Sequence, residues 1–130
     1  MKMPRIRAEG GFTALEAMLG VVLLAVGTTA AAGLILAAAS AYTYSKQGSD
    51  AATLAEQTEE EYRDMPFASM AAGTTTTNPV VGTTTYTVTS TVQVGVPSAN
   101  ENSITITVQW GAGDANHTYQ TQTILAALQG

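Results

Sequence analysis

The side chain in this sequence with the clearest chemical demand is a carboxylate in an apolar setting. Glu16 stands directly ahead of residues 17–39, a run with no charged residue, no proline and no amide side chain. A charge at the centre of a membrane helix costs about 2.5–3.5 kcal/mol on insertion scales. A carboxylate in an apolar bundle must therefore find a cation or change its protonation state. The other candidates are weaker. Glu59-Glu60-Glu61 places three carboxylates in a row, but consecutive helical residues diverge by about 100° and do not converge on one ion. They read as a solvated face. His117 is the only histidine and falls at a hairpin end, with no serine or acid at a spacing that suggests a triad. Asp114, Asn116 and the carbonyls around Gly111 and Gly113 offer oxygens to calcium, yet one carboxylate is thin for a cation that takes about six to eight ligands. An ordinary turn is the expectation there. Without cysteine there is no disulfide, thiolate zinc site or thiol nucleophile. No enzyme and no cofactor emerges.

The elements around Glu16 are legible from composition. Residues 17–39 are long enough to cross a bilayer as a helix, which needs about 20 apolar residues. Tyr42 and Tyr44 follow at the expected boundary, where amphipathic rings are favoured. Helix breakers then stay away: Ala51, Leu54, Ala55, Thr58, Tyr62 and Met65 keep a period near 3.6, with Glu56, Glu59, Glu60 and Arg63 mostly elsewhere. The reading is one helix over residues 13–64, roughly 75–80 Å long, ended by Met65-Pro66. Only its first half fits a bilayer, so the second half must cover something with a narrow apolar stripe.

That something is a sheet. Tyr86, Val88, Val92 and Val94 share one parity, interrupted by Ser90, against Thr87, Thr89, Thr91 and Gln93. Ile104, Ile106, Val108 and Trp110 repeat the pattern against Ser103, Thr105, Thr107 and Gln109, and residues 118–125 form a third, more polar strand. Alternation with one apolar face predicts an antiparallel sheet packed on one side. Trp110 is expected in the core beneath the helix. Residues 68–83, rich in threonine and glycine, are expected to be a mobile loop.

Charge narrows the partners. The 130-residue chain has a formal charge of −5, with Lys2, Arg5 and Arg7 ahead of the apolar run. Only Lys46 and Arg63 follow it, so a chain cut after Gly11 would carry two basic and nine acidic side chains. Such a surface repels phosphate backbones, and DNA binding is not expected.

Three readings compete for the N-terminus. One is a secretory signal cut near Ala30-Ala31-Ala32, ahead of Gly33. Another is an uncleaved anchor oriented by Lys2, Arg5 and Arg7. The third is a cut at Gly11-Phe12 that keeps the helix. Gly11-Phe12-Thr13-Ala14-Leu15-Glu16, behind a short basic leader, resembles the N-terminus of type IV pilins and type II secretion pseudopilins. There, a glycine is followed by Phe-Thr, two further residues and a glutamate. Arg63-Asp64-Met65-Pro66-Phe67 is similar, more loosely, to the helix end of the minor branch. Family members often carry a proline near the middle of the apolar segment, where this chain has Gly33.

The resemblance implies a pilin-like α+β fold, a long N-terminal helix whose distal half packs on a small antiparallel β-sheet. It divides the chain into a leader (1–11), a transmembrane and assembly half-helix (12–41), an exported amphipathic half-helix (42–65) and a β-sheet head (66–130). It further implies cleavage between Gly11 and Phe12 by a prepilin peptidase, N-methylation of Phe12, and pairing of Glu16 with the Phe12 amine of an adjacent subunit. The implied function is a structural subunit, of the minor class, in a pilus-like or pseudopilus filament. The competing class is a filament-tip or membrane-anchored binding module for adhesion, a secretion substrate or DNA uptake. Implied partners are other pilin subunits, the peptidase, an inner-membrane assembly platform and, before assembly, membrane lipid. The implied location is single-pass in the inner membrane with the leader cytoplasmic, then a periplasmic or extracellular filament.

Overall fold

A threonine followed three residues later by a glutamate is a helix-start signature, and the long helix α1, Ala14–Asp64, begins directly after Thr13. Alanine, leucine and valine carry it forward, and Pro66 stops it by disfavouring a helical Met65. The computed structural model describes residues 13–127. After α1 come a one-turn 3-10 helix, Phe67–Ser69, and five strands: β1 Gly73–Thr77, β2 Val80–Val81, β3 Thr84–Val94, β4 Glu101–Trp110 and β5 His117–Ala126. A second 3-10 turn, Gly113–Ala115, lies between β4 and β5. The fold is α+β, a long helix packed on a small antiparallel sheet.

The chain divides between Tyr42 and Thr43 into two units. In the first, every described residue is helical from Ala14 on and exposed. This stretch of α1 is long and apolar enough to cross a membrane.

In the second unit the sheet runs β1-β3-β4-β5, with β2 folded back on the start of β3. Register on β3 and β4 aligns Tyr86 with Trp110, Val88 with Val108, Ser90 with Ile106 and Val92 with Ile104. Each of these side chains is buried. Their common face is closed by α1, where Ala51 and Ala55 are both 0% exposed. Leu54 and Tyr62 pack at the margins of the same core. Alanine at these two positions lets the helix backbone lie close to the pleat. Tyr62 adds a polar tie, its hydroxyl 2.8 Å from the Ser90 hydroxyl, so the one polar residue in the β3 apolar row has a partner.

Several expectations need correction. Residues 68–83 are not a structureless loop: residues 73–77 form β1, paired from Gly73↔Val92 to Thr77↔Val88. All five residues of β1 are exposed, so apolar patterning could not reveal them. Threonine's β-branch favours extended backbone, and ladder hydrogen bonds do not require burial. The Thr74 and Thr91 hydroxyls meet at 3.2 Å across the pair. Met65 and Val94 leave the core, at 46% and 48% exposure, because each sits at the end of its element. Asn102 and Met70 enter it, and Ser103 is buried as well. The Asn102 carboxamide accepts from the Gly95 N–H at 3.2 Å and donates to the Met70 sulfur at 3.6 Å. Ser103 is covered on the outer face, where its hydroxyl accepts from Gln122 at 2.7 Å.

The close approach at Ala51 is testable. Ala51→Leu should lower the stability of the detergent-solubilised chain by about 1–3 kcal/mol, since added methylenes must displace the helix or the sheet. Denaturant unfolding monitored by Trp110 fluorescence measures it. An unchanged midpoint would show that the helix does not close on the sheet at this residue.

Candidate functional site

The cleavage and methylation positions proposed by sequence, Gly11 and Phe12, lie outside the described residues. The described part of the junction starts at Thr13. Its hydroxyl accepts from the Glu16 N–H at 3.2 Å, and its carbonyl accepts the first helical bond from Ala17 at 3.1 Å. Thr13 is thus the N-cap of α1, and Glu16 is the acidic residue of the first turn. Both features are favourable there, the cap because it satisfies an orphan N–H and the carboxylate because it faces the positive end of the helix dipole. Sequence reasoning assigned Glu16 an intermolecular role and missed this local one, although the Thr-x-x-Glu spacing carries it. Glu16 is exposed, and among the described residues it enters no ion pair.

Along the apolar run the few hydroxyls are satisfied within the helix. Thr28 and Thr29 both donate to the Ala25 carbonyl, at 3.0 and 2.8 Å, and Ser40 donates to Leu36 at 3.0 Å. Such internal bonding is what a polar side chain needs where water is scarce. Gly20, Gly27 and Gly33 touch nothing that a Cβ would meet, so no contact among the described residues requires glycine at these positions.

The acidic helix face is organised by one arginine. Arg63 bonds Glu59 and lies 4.0 Å from Glu60, while Glu61 turns to the side of a groove between α1 and the β1 edge. The groove encloses about 380 Å³ and is bordered by Leu54, Tyr62, Met65, Pro79 and Val88. Lys46 pairs with Asp50 one turn away at 3.1 Å. Among the described residues no group of three His, Cys, Asp or Glu side chains is placed to hold a metal.

At the other end of the sheet, aromatic rings meet. Trp110 lies 5.9 Å from Tyr86 and 5.5 Å from His117, and the His117 ring stands edge-on to Tyr44 at 4.8 Å. Trp110 is buried in the core, its indole N–H without a partner among the described residues. The turn before β5 needs Gly111, at φ +100°, because a Cβ would come within 2.3 Å of the Ala115 carbonyl oxygen. The structure therefore brings His117 together with aromatic rings, and among the described residues it leaves Glu16 with the Thr13 cap alone. Comparison of the chain with family models, with curated proteins and with solved structures finds no match.

Tyr86 is the titratable group that the fold perturbs. Burial raises its phenol above the usual tyrosine value, and the nearby Asp50 carboxylate pushes in the same direction. Its hydroxyl donates to the Gln47 carbonyl at 3.4 Å. A raised folded-state pKa means that the folded chain holds its proton where the unfolded chain has lost it. This contribution to stability is complete below about pH 10 and is lost as pH rises through the folded-state value. The chain should thus lose stability on alkaline titration above about pH 10, and Tyr86→Phe should flatten that slope while lowering stability at neutral pH. Unfolding midpoints measured across that range test this; an equal slope in the variant would place the effect elsewhere.

Proposed function

We propose that this chain is a structural subunit, of the minor class, in a type IV pilus-like or pseudopilus filament. It has no catalytic role in this reading. A prepilin peptidase cuts between Gly11 and Phe12, the new Phe12 amine is methylated, and residues 12–41 hold the subunit in the inner membrane with its leader cytoplasmic and its head exported. An assembly platform then moves it into the filament, where other subunits replace lipid around the apolar half-helix. The observation that carries the reading is the junction Gly11-Phe12-Thr13-Ala14-Leu15-Glu16 set at the head of an exposed apolar helix. A plain anchor gains from a carboxylate there only a favourable charge at the helix start. A filament gains more, because the Glu16 carboxylate meets the Phe12 amine of an adjacent subunit at only one axial stagger and so sets register. The acidic mature surface, with Lys46 and Arg63 as its basic side chains, supports a partner set of like subunits and not DNA.

Processing gives one test. The mature chain should begin at methylated Phe12, and a bulky residue at Gly11 should leave precursor in the membrane. Mass spectrometry of the N-terminus reads both, and a start at Gly33 would support an ordinary signal peptide instead.

Assembly gives the second. The Thr13 cap offers Glu16 a purely local role, and two substitutions separate it from the intermolecular one. Glutamine at the third helical position keeps a side chain that can reach back to the Thr13 N–H but has no charge, whereas alanine lacks both and keeps only the backbone N–H that Thr13 caps. If Glu16 pairs with a neighbour's amine, Glu16→Gln and Glu16→Ala should both be processed and stable, yet both should be depleted from sheared filaments relative to membranes. Normal incorporation of Glu16→Gln would leave only the cap, and the register mechanism would be wrong.

A further inference from the structure

The turn ahead of β5 carries a motif that the assembly reading does not use. Asn116-His117-Thr118 places a hydroxyl two residues after an asparagine, the acceptor pattern for N-linked glycosylation. The other asparagines lack it: Asn78 precedes Pro79 and Val80, and Asn100 and Asn102 are followed two residues later by Asn102 and Ile104. The structure presents this tripeptide in a particular way. Asn116 is exposed and leaves the 3-10 turn in an extended conformation, φ −73° and ψ 126°. Its N–H is held by the Gly113 carbonyl at 3.3 Å. His117 is half-buried, its ring packed against Trp110 and Tyr44. Thr118 is exposed again. Since side chains alternate along a strand, anchoring His117 inward turns its two neighbours outward together. β5 is an edge strand, so its far side is open to an enzyme.

We infer that Asn116 is an acceptor for an oligosaccharide carried on a polyprenyl diphosphate. The Asn116 amide nitrogen attacks the anomeric carbon of the first sugar, a C–N bond forms, and the bond from that carbon to the phosphate oxygen breaks. The polyprenyl diphosphate leaves with the electron pair, and the amide loses one proton to a base of the transferase. The Thr118 hydroxyl is the positioning group that the transferase grips. In cells this rests on the reading above that the head is exported, because such donors are used on the far side of the membrane.

The test uses the full chain in two arms. In the first, detergent-solubilised chain is incubated with a purified oligosaccharyltransferase and its lipid-linked oligosaccharide, and intact mass is measured. Wild type should gain the mass of one oligosaccharide, Thr118→Ser should keep the gain, and Asn116→Gln and Thr118→Val should lose it completely. No transfer to wild type, or transfer that survives Asn116→Gln, overturns the acceptor assignment. The second arm expresses the chain in cells that hold the same transferase, with protease accessibility of the head as a readout of topology. An accessible head that stays unmodified overturns the inference. Transfer in the first arm with an inaccessible head in cells overturns the export reading, and modification in cells falls with it.

Discussion

The second unit of this chain depends on one contact, the placement of Ala51 and Ala55 against the apolar face of the sheet. The sheet has few large side chains to bury: Tyr86, Ile104, Ile106, Val108 and Trp110 form most of its core. A head of this size, without disulfides, cannot close a core from strands alone. The distal part of α1 therefore serves as its second layer, and small side chains bring the helix backbone down to the pleat. The same contact explains why the core stays continuous although Ser90 interrupts the β3 apolar row. Tyr62, on the helix, reaches the serine hydroxyl and removes the penalty of burying it unpaired.

The outer face of the sheet follows a different economy. Thr74, Thr76, Thr89, Thr91, Thr105 and Thr107 occupy it in register, with Gln120 and Gln122 on β5. Threonine supplies extended propensity through its β-branch and solubility through its hydroxyl, so the face needs no cover. Charge is concentrated on α1 instead, where Lys46–Asp50 and Arg63–Glu59 pair at helical spacing. Exposed pairs of this kind contribute only fractions of a kcal/mol, about 0.3–0.5 each. They solubilise the helix more than they hold it.

The first unit has no such second layer among the described residues. Its apolar side chains are exposed and its hydroxyls are turned back on their own helix. The surroundings that satisfy this surface must come from outside the chain, and in the filament reading they are lipid first and other helices later. Glu16 marks the start of this surface. Its N–H is capped by Thr13, which settles the backbone, while its carboxylate remains available to a partner.

Periodicity and punctuation were enough to find the helix, three strands and the buried row from Ile104 to Trp110. Those features are local: a 3.6-residue stripe, a 2-residue alternation and a proline each act within a few neighbours. The N-cap at Thr13 is equally local, carried by the Thr-x-x-Glu spacing alone. What tertiary structure alone decided was pairing and cover. The exposed strand Gly73–Thr77 has no apolar phase, and only its partner β3 makes it a strand. Asn102 and Ser103 look like surface residues in sequence, yet Met70 and Gln122 cover them from distant parts of the chain. The tripeptide Asn116-His117-Thr118 is visible in sequence, but that His117 packs inward and its neighbours face outward follows from Trp110 and Tyr44. Burial is a property of the contacts a residue receives, and those contacts arrive from segments that no local pattern names.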